Sequence, residues 1–322
     1  MAKGSRTART GKGKGRGRPA APVRPRPRGA AVWLLAARPK TLPAAASPVL
    51  LGTLIAAADG RFHALAAACA LAGALLIQIG TNYVNDAADF ERGADTAARK
   101  GPMRAVAEGL VSPRAMKVAA AVAFALAFAA GIFLIVRGGW PILALGLASI
   151  AAGVAYTVGR YALAYTGLAD LFVLVFFGPV AVAGTYYVQA LALPPVVVVA
   201  GLGPGLLATA ILVANNVRDV EEDRVANKNT LVVRRGRPFG VGLYGACMLG
   251  AALVPVVVLW STPGTENLGI VAAAFAAAVV GGRLGRTLER TSDPAVLNPL
   301  LGKTALLLFA YSLFFGLGWL LT

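Results

Sequence analysis

Apolar residues run in long uninterrupted stretches near 34–58, 63–83, 115–136, 139–158, 168–190, 196–216, 239–260, 268–288 and 300–321, with polar residues gathered between them. Each stretch matches the roughly 20 residues that an α-helix needs to cross a bilayer. The pattern therefore predicts an all-α integral membrane protein, a bundle of nine transmembrane helices spanning 31–322. Many stretches are rich in Ala and Gly, as at 119–131, which lets helix backbones approach closely in lipid. Composition agrees: 57% of the chain is hydrophobic and only 14% charged, with a mean hydropathy of +0.69.

A net charge of +17 would point to nucleic acid if it were spread over a surface, but it is not. Ten of the 31 basic residues lie within residues 1–30, which contain no acid. With the N-terminus cytoplasmic, 29 basic residues fall on the cytoplasmic side and only Arg61 and Arg137 fall outside. This asymmetry orients the chain by the positive-inside rule, with the loops after the second and sixth stretches, where acidic residues gather, cytoplasmic. Residues 1–30, with Gly-Lys-Gly-Lys-Gly-Arg-Gly-Arg at 11–18, cannot bury a core and read as a disordered basic cytoplasmic tail attracted to anionic lipid. RNA binding or a transit peptide would use similar composition. No removable secretory signal follows it, and no nucleic-acid partner is expected.

Several chemistries lack material. Cys69 and Cys247 fall within apolar stretches and read as packing residues rather than a disulfide framework. His63 is the sole histidine, so zinc sites and histidine-based nucleophilic triads have no basis. No phosphate-binding Gly-x-x-x-x-Gly-Lys-[Ser/Thr] loop occurs.

Nine of the 14 acids concentrate in two places. Asn85-Asp86-Ala87-Ala88-Asp89 ends the second apolar stretch, with Glu91, Asp95 and Glu108 following. Asn215-Asn216-Val217-Arg218-Asp219-Val220-Glu221-Glu222-Asp223 ends the sixth. If the helices continue, Asn85 and Asp89 share a face, as do Asp86 and Asp89, and Asn216, Asp219 and Asp223 are placed together in the same way. Carboxylates this crowded repel unless cations bridge them. Oxygen ligands without His or Cys suit Mg²⁺, which takes remaining ligands from substrate phosphates. Basic residues accompany both clusters: Arg99, Lys100 and Arg104 at the first, Arg218, Arg224, Lys228 and Arg234 at the second. Acids interleaved with Arg and Lys describe a metal-bridged polyanion site, with diphosphate the natural occupant. A diphosphate head at a membrane surface implies an apolar tail in the bilayer. Tyr156, Phe172, Phe176, Phe177, Tyr186 and Tyr187 are candidates to line its path, and aromatic faces also stabilise carbocations.

The chain from about Arg38 onward resembles the UbiA superfamily of membrane aromatic prenyltransferases, and within it the branch that acts on 1,4-dihydroxy-2-naphthoate in menaquinone synthesis. The likeness rests on both Asn-Asp motifs together with Arg38-Pro39-Lys40-Thr41-Leu42-Pro43, Gly101-Pro102-Met103-Arg104, Tyr156-Thr157-Val158-Gly159, Leu174-Val175-Phe176-Phe177-Gly178 and Lys228-Asn229-Thr230-Leu231-Val232-Val233-Arg234. It implies a nine-helix bundle with an active site open to the cytoplasm and to lipid. It implies Mg²⁺ held by Asn85, Asp86, Asp89, Asp219 and Asp223, with those four aspartates catalytic. Substrate binding would fall to Asn85, Arg104, Tyr156, Arg160, Asn216, Arg218 and Lys228, Arg160 being a shifted match to the motif. Arg38 or Lys40 would hold an acceptor carboxylate. The implied substrates are a polyprenyl diphosphate and 1,4-dihydroxy-2-naphthoate. 4-Hydroxybenzoate, homogentisate and haem are the alternative acceptors, and a cation-coupled transporter is the alternative outside this chemistry.

Overall fold

The computed structural model describes residues 1, 27–93, 101, 103–261 and 268–321. Residues 2–26, on which the expectation of a disordered tail rests, lie outside them, as do Asp95, Arg99, Lys100 and Pro102. The described residues form helices and no strand. The first crossing is α1 (Ala30–Ala37) and α2 (Leu42–Ala58), followed by α3 (Ala64–Glu91), α4 (Pro113–Gly138) and the short α5 (Trp140–Ala155). After α6 (Leu163–Thr166), the fifth crossing is made by α7 (Ala169–Val175) and α8 (Ala181–Ala190). Then come α9 (Pro195–Arg218), the surface turns α10 (Val220–Val225) and α11 (Leu231–Arg235), and the long α12 (Arg237–Ser261), α13 (Leu268–Arg290) and α14 (Pro294–Leu320).

Among the described residues, eight helical segments are long and apolar enough to cross a membrane, counting α1–α2 and α7–α8 as one each. The ninth apolar stretch is α5, whose 16 residues reach about 24 Å at 1.5 Å per residue, short of a ~30 Å hydrocarbon core. The crossings are less uniform than expected. The first breaks at Arg38, whose φ is 53°, because Pro39 disfavours a helical residue before it. The fifth breaks at a π turn over Phe176–Val180, where Gly178 departs from helical geometry and Pro179 supplies no amide. Conversely α3 runs to Glu91, two turns beyond its expected end, and so carries the first acidic motif on continuous helix.

The break in the fifth crossing lets its backbone meet α9. A Cβ on Gly178 would lie 2.7 Å from the Gly201 carbonyl oxygen and 2.8 Å from the Gly205 Cα. Only glycine allows this contact on both sides. Elsewhere α4 turns into α5 at Gly139, whose φ of 75° and ψ of −162° favour a residue without Cβ.

α9 is the most deeply buried of the crossings. It packs against α12 and α14, while α12, α13 and α14 pack in chain order and α14 closes on α2. A large apolar cluster centred on α2, α9, α12 and α14 includes Leu51, Leu207, Tyr244 and Tyr311. A smaller one joins α1, α3, α4 and the 105–106 loop through Tyr83, Ala87, Val106 and Met116. Between these two bodies the bundle is not filled. The resulting cavity, not the core, is the feature that matters for function.

Candidate active site

The cavity has a volume of about 440 Å³ and is walled by α2, α3, α4, α5, α7, α8 and α9. Its head lies among Arg38, Asn85, Tyr156 and Asn215, and it continues to Leu134, Ile142 and Val188 at the opposite end of the bundle. From Tyr156 to Ile142 its α5 wall covers about 21 Å at 1.5 Å per residue. Phe172, Phe176 and Phe177 line it as expected, and the rings of Phe172 and Phe176 stack at 5.9 Å. Tyr186 and Tyr187 do not: their hydroxyls bond Asp59 at 2.5 Å and the Gly138 carbonyl at 3.2 Å. Both partners lie at the end far from the acids.

The acidic motifs, more than a hundred residues apart in sequence, meet at the cavity head. Asp89 accepts hydrogen bonds from Arg104 at 2.5 Å, from the Tyr165 hydroxyl at 3.1 Å and from Lys228 at 3.3 Å. Lys228 follows Asn227, whose left-handed φ of 54° turns the chain back after α10, so an ammonium from the second motif's loop reaches the first motif's carboxylate. Arg104 also donates to the Asn85 carbonyl oxygen at 2.8 Å, and the Thr157 hydroxyl donates to the Asn85 side chain.

The second motif is divided between two helices. α9 ends at Arg218, Asp219 is the cap, and Asp223 lies on α10. The amide of Asp223 donates to the Asp219 carbonyl at 2.8 Å, preserving helical proximity across the break. Burial, and then the charges of Asp219, Asp89 and Glu222, push the Asp223 carboxyl up to about 7 against the pull of Lys228. The two motifs thus share one electrostatic site.

Some expected residues have other work. Asp86, 1% exposed, accepts from the amides of Ala105 at 3.0 Å and Val106 at 3.2 Å. One residue out of step with Asn85 and Asp89, it faces the loop that carries Arg104 rather than the cavity. Arg218 forks onto both oxygens of Asp219 at 2.6 Å and donates to Asn215 at 2.7 Å and Asn298 at 2.8 Å. Its guanidinium organises the second motif. Asn216 is buried, but its neighbour Asn215 is the one that lines the cavity.

Arg160 is not brought to the site: it is exposed and lies 5.6 Å over the Tyr161 ring. Lys40 is also exposed, whereas Arg38 and Thr41 line the cavity. Here the break before Pro39 directs Arg38 inward.

Three partners were not foreseen. Tyr165 donates to Asp89 beneath two cations, Arg92 at 4.5 Å and Lys228 at 5.3 Å from its ring. Burial and the bond to Asp89 push its hydroxyl well above the usual range. Thr157 sits within a quoted motif but had no role assigned. Asn298 had a usable signal, a polar amide in the opening turns of an apolar helix; Tyr165, one aromatic on a four-residue helix, had none.

The donors fit a hard cation. They are oxygens only, buried, and crowded enough that burial and then like charge raise Asp223. Among the described residues no three acidic, His or Cys side chains are placed to enclose a metal by themselves, and Arg104 and Lys228 balance Asp89 instead.

The UbiA prenyltransferase family model matches residues 45–297. A 1,4-dihydroxy-2-naphthoate octaprenyltransferase of Escherichia coli (strain K12) is 37% identical over 292 residues, covering 89% of this chain and 94% of that protein. One of the same name from Mycobacterium tuberculosis is 40% identical over 265 residues, covering 80% and 89%. Among solved structures, a UbiA homolog from Archaeoglobus fulgidus bound to GPP and Mg²⁺ aligns with a TM-score of 0.60 at 16% identity, over 88% of this chain and 98% of that one. The apo UbiA homolog from Aeropyrum pernix K1 aligns at 0.65 with 15% identity, over 87% and 97%. With these matches and its apolar helices, this multi-pass integral membrane protein belongs to the UbiA prenyltransferase family.

Proposed function

We propose that this chain transfers a polyprenyl group from its diphosphate to 1,4-dihydroxy-2-naphthoate, releasing diphosphate and CO₂ and yielding demethylmenaquinol. The observation that carries this reading is the meeting of two acid-and-base motifs at the head of an apolar cavity about 21 Å deep, since a polyprenyl diphosphate has the same two-part chemistry. Identity of 32–40% to relatives named for this acceptor supports the choice of acceptor.

Asn85, Asp89, Asp219 and Asp223 would hold Mg²⁺, with Asp86 anchoring the Arg104 loop. The ion would supply Lewis-acid neutralisation of the departing diphosphate. Arg104 and Lys228, already aimed at Asp89, are placed to exchange part of that pairing for diphosphate oxygens as the allylic C–O bond breaks. Phe172, Phe176 and Phe177 line the apolar wall beyond and would stabilise the allylic cation through their rings. Arg38, which lines the cavity, would receive the acceptor's carboxylate in preference to Lys40. The acidic end faces the cytoplasm, in keeping with the distribution of basic residues.

The test is CO₂ and demethylmenaquinol formation by membranes carrying the protein, given 1,4-dihydroxy-2-naphthoate and a polyprenyl diphosphate with Mg²⁺ or EDTA. Mg²⁺-dependent product that disappears in Asp89→Ala and Asp219→Ala is expected. Prenylation of 4-hydroxybenzoate, homogentisate or haem instead would overturn the acceptor. No prenylation of any aromatic by folded protein would overturn the reaction.

A further inference from the structure

Tyr165 lies on α6, a helix of four residues between α5 and α7, and meets both motifs at once. Its hydroxyl donates to Asp89 Oδ1 at 3.1 Å. The other oxygen of that carboxylate, Oδ2, accepts from Arg104 at 2.5 Å and from Lys228 at 3.3 Å. One oxygen is therefore served by a neutral donor and the other by two cations, which fixes the rotation of the carboxylate. The same tyrosine ring carries two cations of its own. The Arg92 guanidinium lies 4.5 Å from its centroid and the Lys228 ammonium 5.3 Å. Both fall within the ~6 Å over which a ring quadrupole attracts a positive charge.

These two cations are not equivalent. Arg92 is exposed and anchored, donating to the Gly159 carbonyl at 2.6 Å. It ties the ring to the turn that follows α5. The Lys228 side chain is only 15% exposed, and its bond to Asp89 is the longest of the three on that carboxylate. A desolvated ammonium gains more from a ring face than an exposed one does. The attraction is also less directional than a hydrogen bond, so it does not depend on the carboxylate remaining the lysine's partner.

We propose that Tyr165 is the positioning residue for Lys228, its ring serving as a seat that keeps the ammonium between the two motifs while the lysine exchanges Asp89 for a donor diphosphate oxygen. The proposal deepens the prenyl-transfer reading and rests on it. Hydroxyl and ring then do separate work: the hydroxyl sets the carboxylate, and the ring sets the cation. Tyr165 acts through these two groups and not on the reacting atoms. A ring that merely filled space could be replaced by any apolar side chain of similar size, whereas a seat needs the negative ring face.

The test uses the full-length protein in detergent with Mg²⁺. Equilibrium binding of radiolabelled geranyl diphosphate is measured with no acceptor present, beside kcat and KM for transfer. Tyr165→Leu is expected to weaken binding about 10-fold, the size of one cation–π contact on a desolvated ammonium, while Tyr165→Phe keeps the ring and should stay within about 3-fold. In a Lys228→Met background Tyr165→Leu should cost nothing further, because the cation it serves is gone. Unchanged binding in Tyr165→Leu, an equal loss in Tyr165→Phe, or losses that multiply in the double variant would each overturn the seat. If Tyr165→Leu does not fold, fluorinated phenylalanines placed at position 165 decide, since they keep the shape of the ring and drain its negative face. Affinity for geranyl diphosphate that falls with each added fluorine supports the seat, and affinity independent of fluorine number overturns it. Wild-type protein that neither binds geranyl diphosphate nor prenylates an aromatic would refute the underlying reaction, whereas active wild type with an unaffected Tyr165→Leu refutes the seat alone.

Discussion

Asp86→Ala separates a residue that builds the site from one that works in it. Asp86 is the sequence partner of Asp89, but its two oxygens hold the amides of Ala105 and Val106 at 3.0 and 3.2 Å, and those two residues are 0% and 2% exposed. Removing the carboxylate leaves two buried amides without acceptors, at about 1–3 kcal/mol each, or roughly 2–6 kcal/mol in total. At about 2–4 °C per kcal/mol for a chain of a few hundred residues, the apparent melting temperature should fall on the order of 10 °C. Asp86→Asn restores one acceptor and should fall between wild type and Asp86→Ala. The assay is a thermal melt of detergent-purified protein, paired with prenyl transfer measured well below the transition. There Asp86→Ala should retain measurable transfer at saturating Mg²⁺, reduced because the loop also carries Arg104, whereas Asp89→Asn should abolish transfer at any Mg²⁺ concentration. An unshifted melt in Asp86→Ala together with abolished transfer at low temperature would refute the reasoning and return Asp86 to direct contact with metal or substrate.

Other substitutions probe the remaining parts. Lys228→Met keeps the volume but removes the cation joining the motifs, and should lower kcat/KM for the donor on the order of 10²-fold; a full-rate enzyme would discount the bridge. Arg160→Ala should stay within about 2-fold of wild type in steady-state assays, as expected of a surface change. Gly146→Phe places a ring in the cavity, since nothing lies within 4 Å of a Cβ there; competition between donors should show long prenyl chains losing more than short ones. Gly205→Ala would set a Cβ 3.0 Å from the Gly178 Cα, and overpacking of about 1–3 kcal/mol should appear as a lower melting temperature and poorer membrane yield.

Much of the active site could be read along the chain because its chemistry is repetitive. Carboxylates are rare in an apolar protein, so two Asn-Asp clusters at the ends of even-numbered apolar stretches were conspicuous, and the nearby Arg and Lys pointed to phosphate. Sequence spacing was a poorer guide to direction. Asn85, Asp86 and Asp89 are all buried at the end of one helix, yet a 100° step per residue sends Asp86 to the loop and Asn85 to the cavity. The same rotation exchanges Asn215 for Asn216. Residues that act from a distance in sequence left little trace: Tyr165 matters because a short helix brings it to Asp89, and Asn298 because α14 starts beside Arg218.

The sequence by itself determined the membrane setting, the number of apolar stretches and the pairing of acids with bases. These follow from composition and from the length of chain needed to satisfy every backbone group in lipid. Only the tertiary structure decided which carboxylates share a site, which arginines are already committed, and where the bundle is left open. Those outcomes depend on helix rotation and on long-range packing at Gly178, Gly201 and Gly205, where α7, α8 and α9 cross at backbone contact. No local pattern encodes them, because each is set by residues that meet only once the chain has folded.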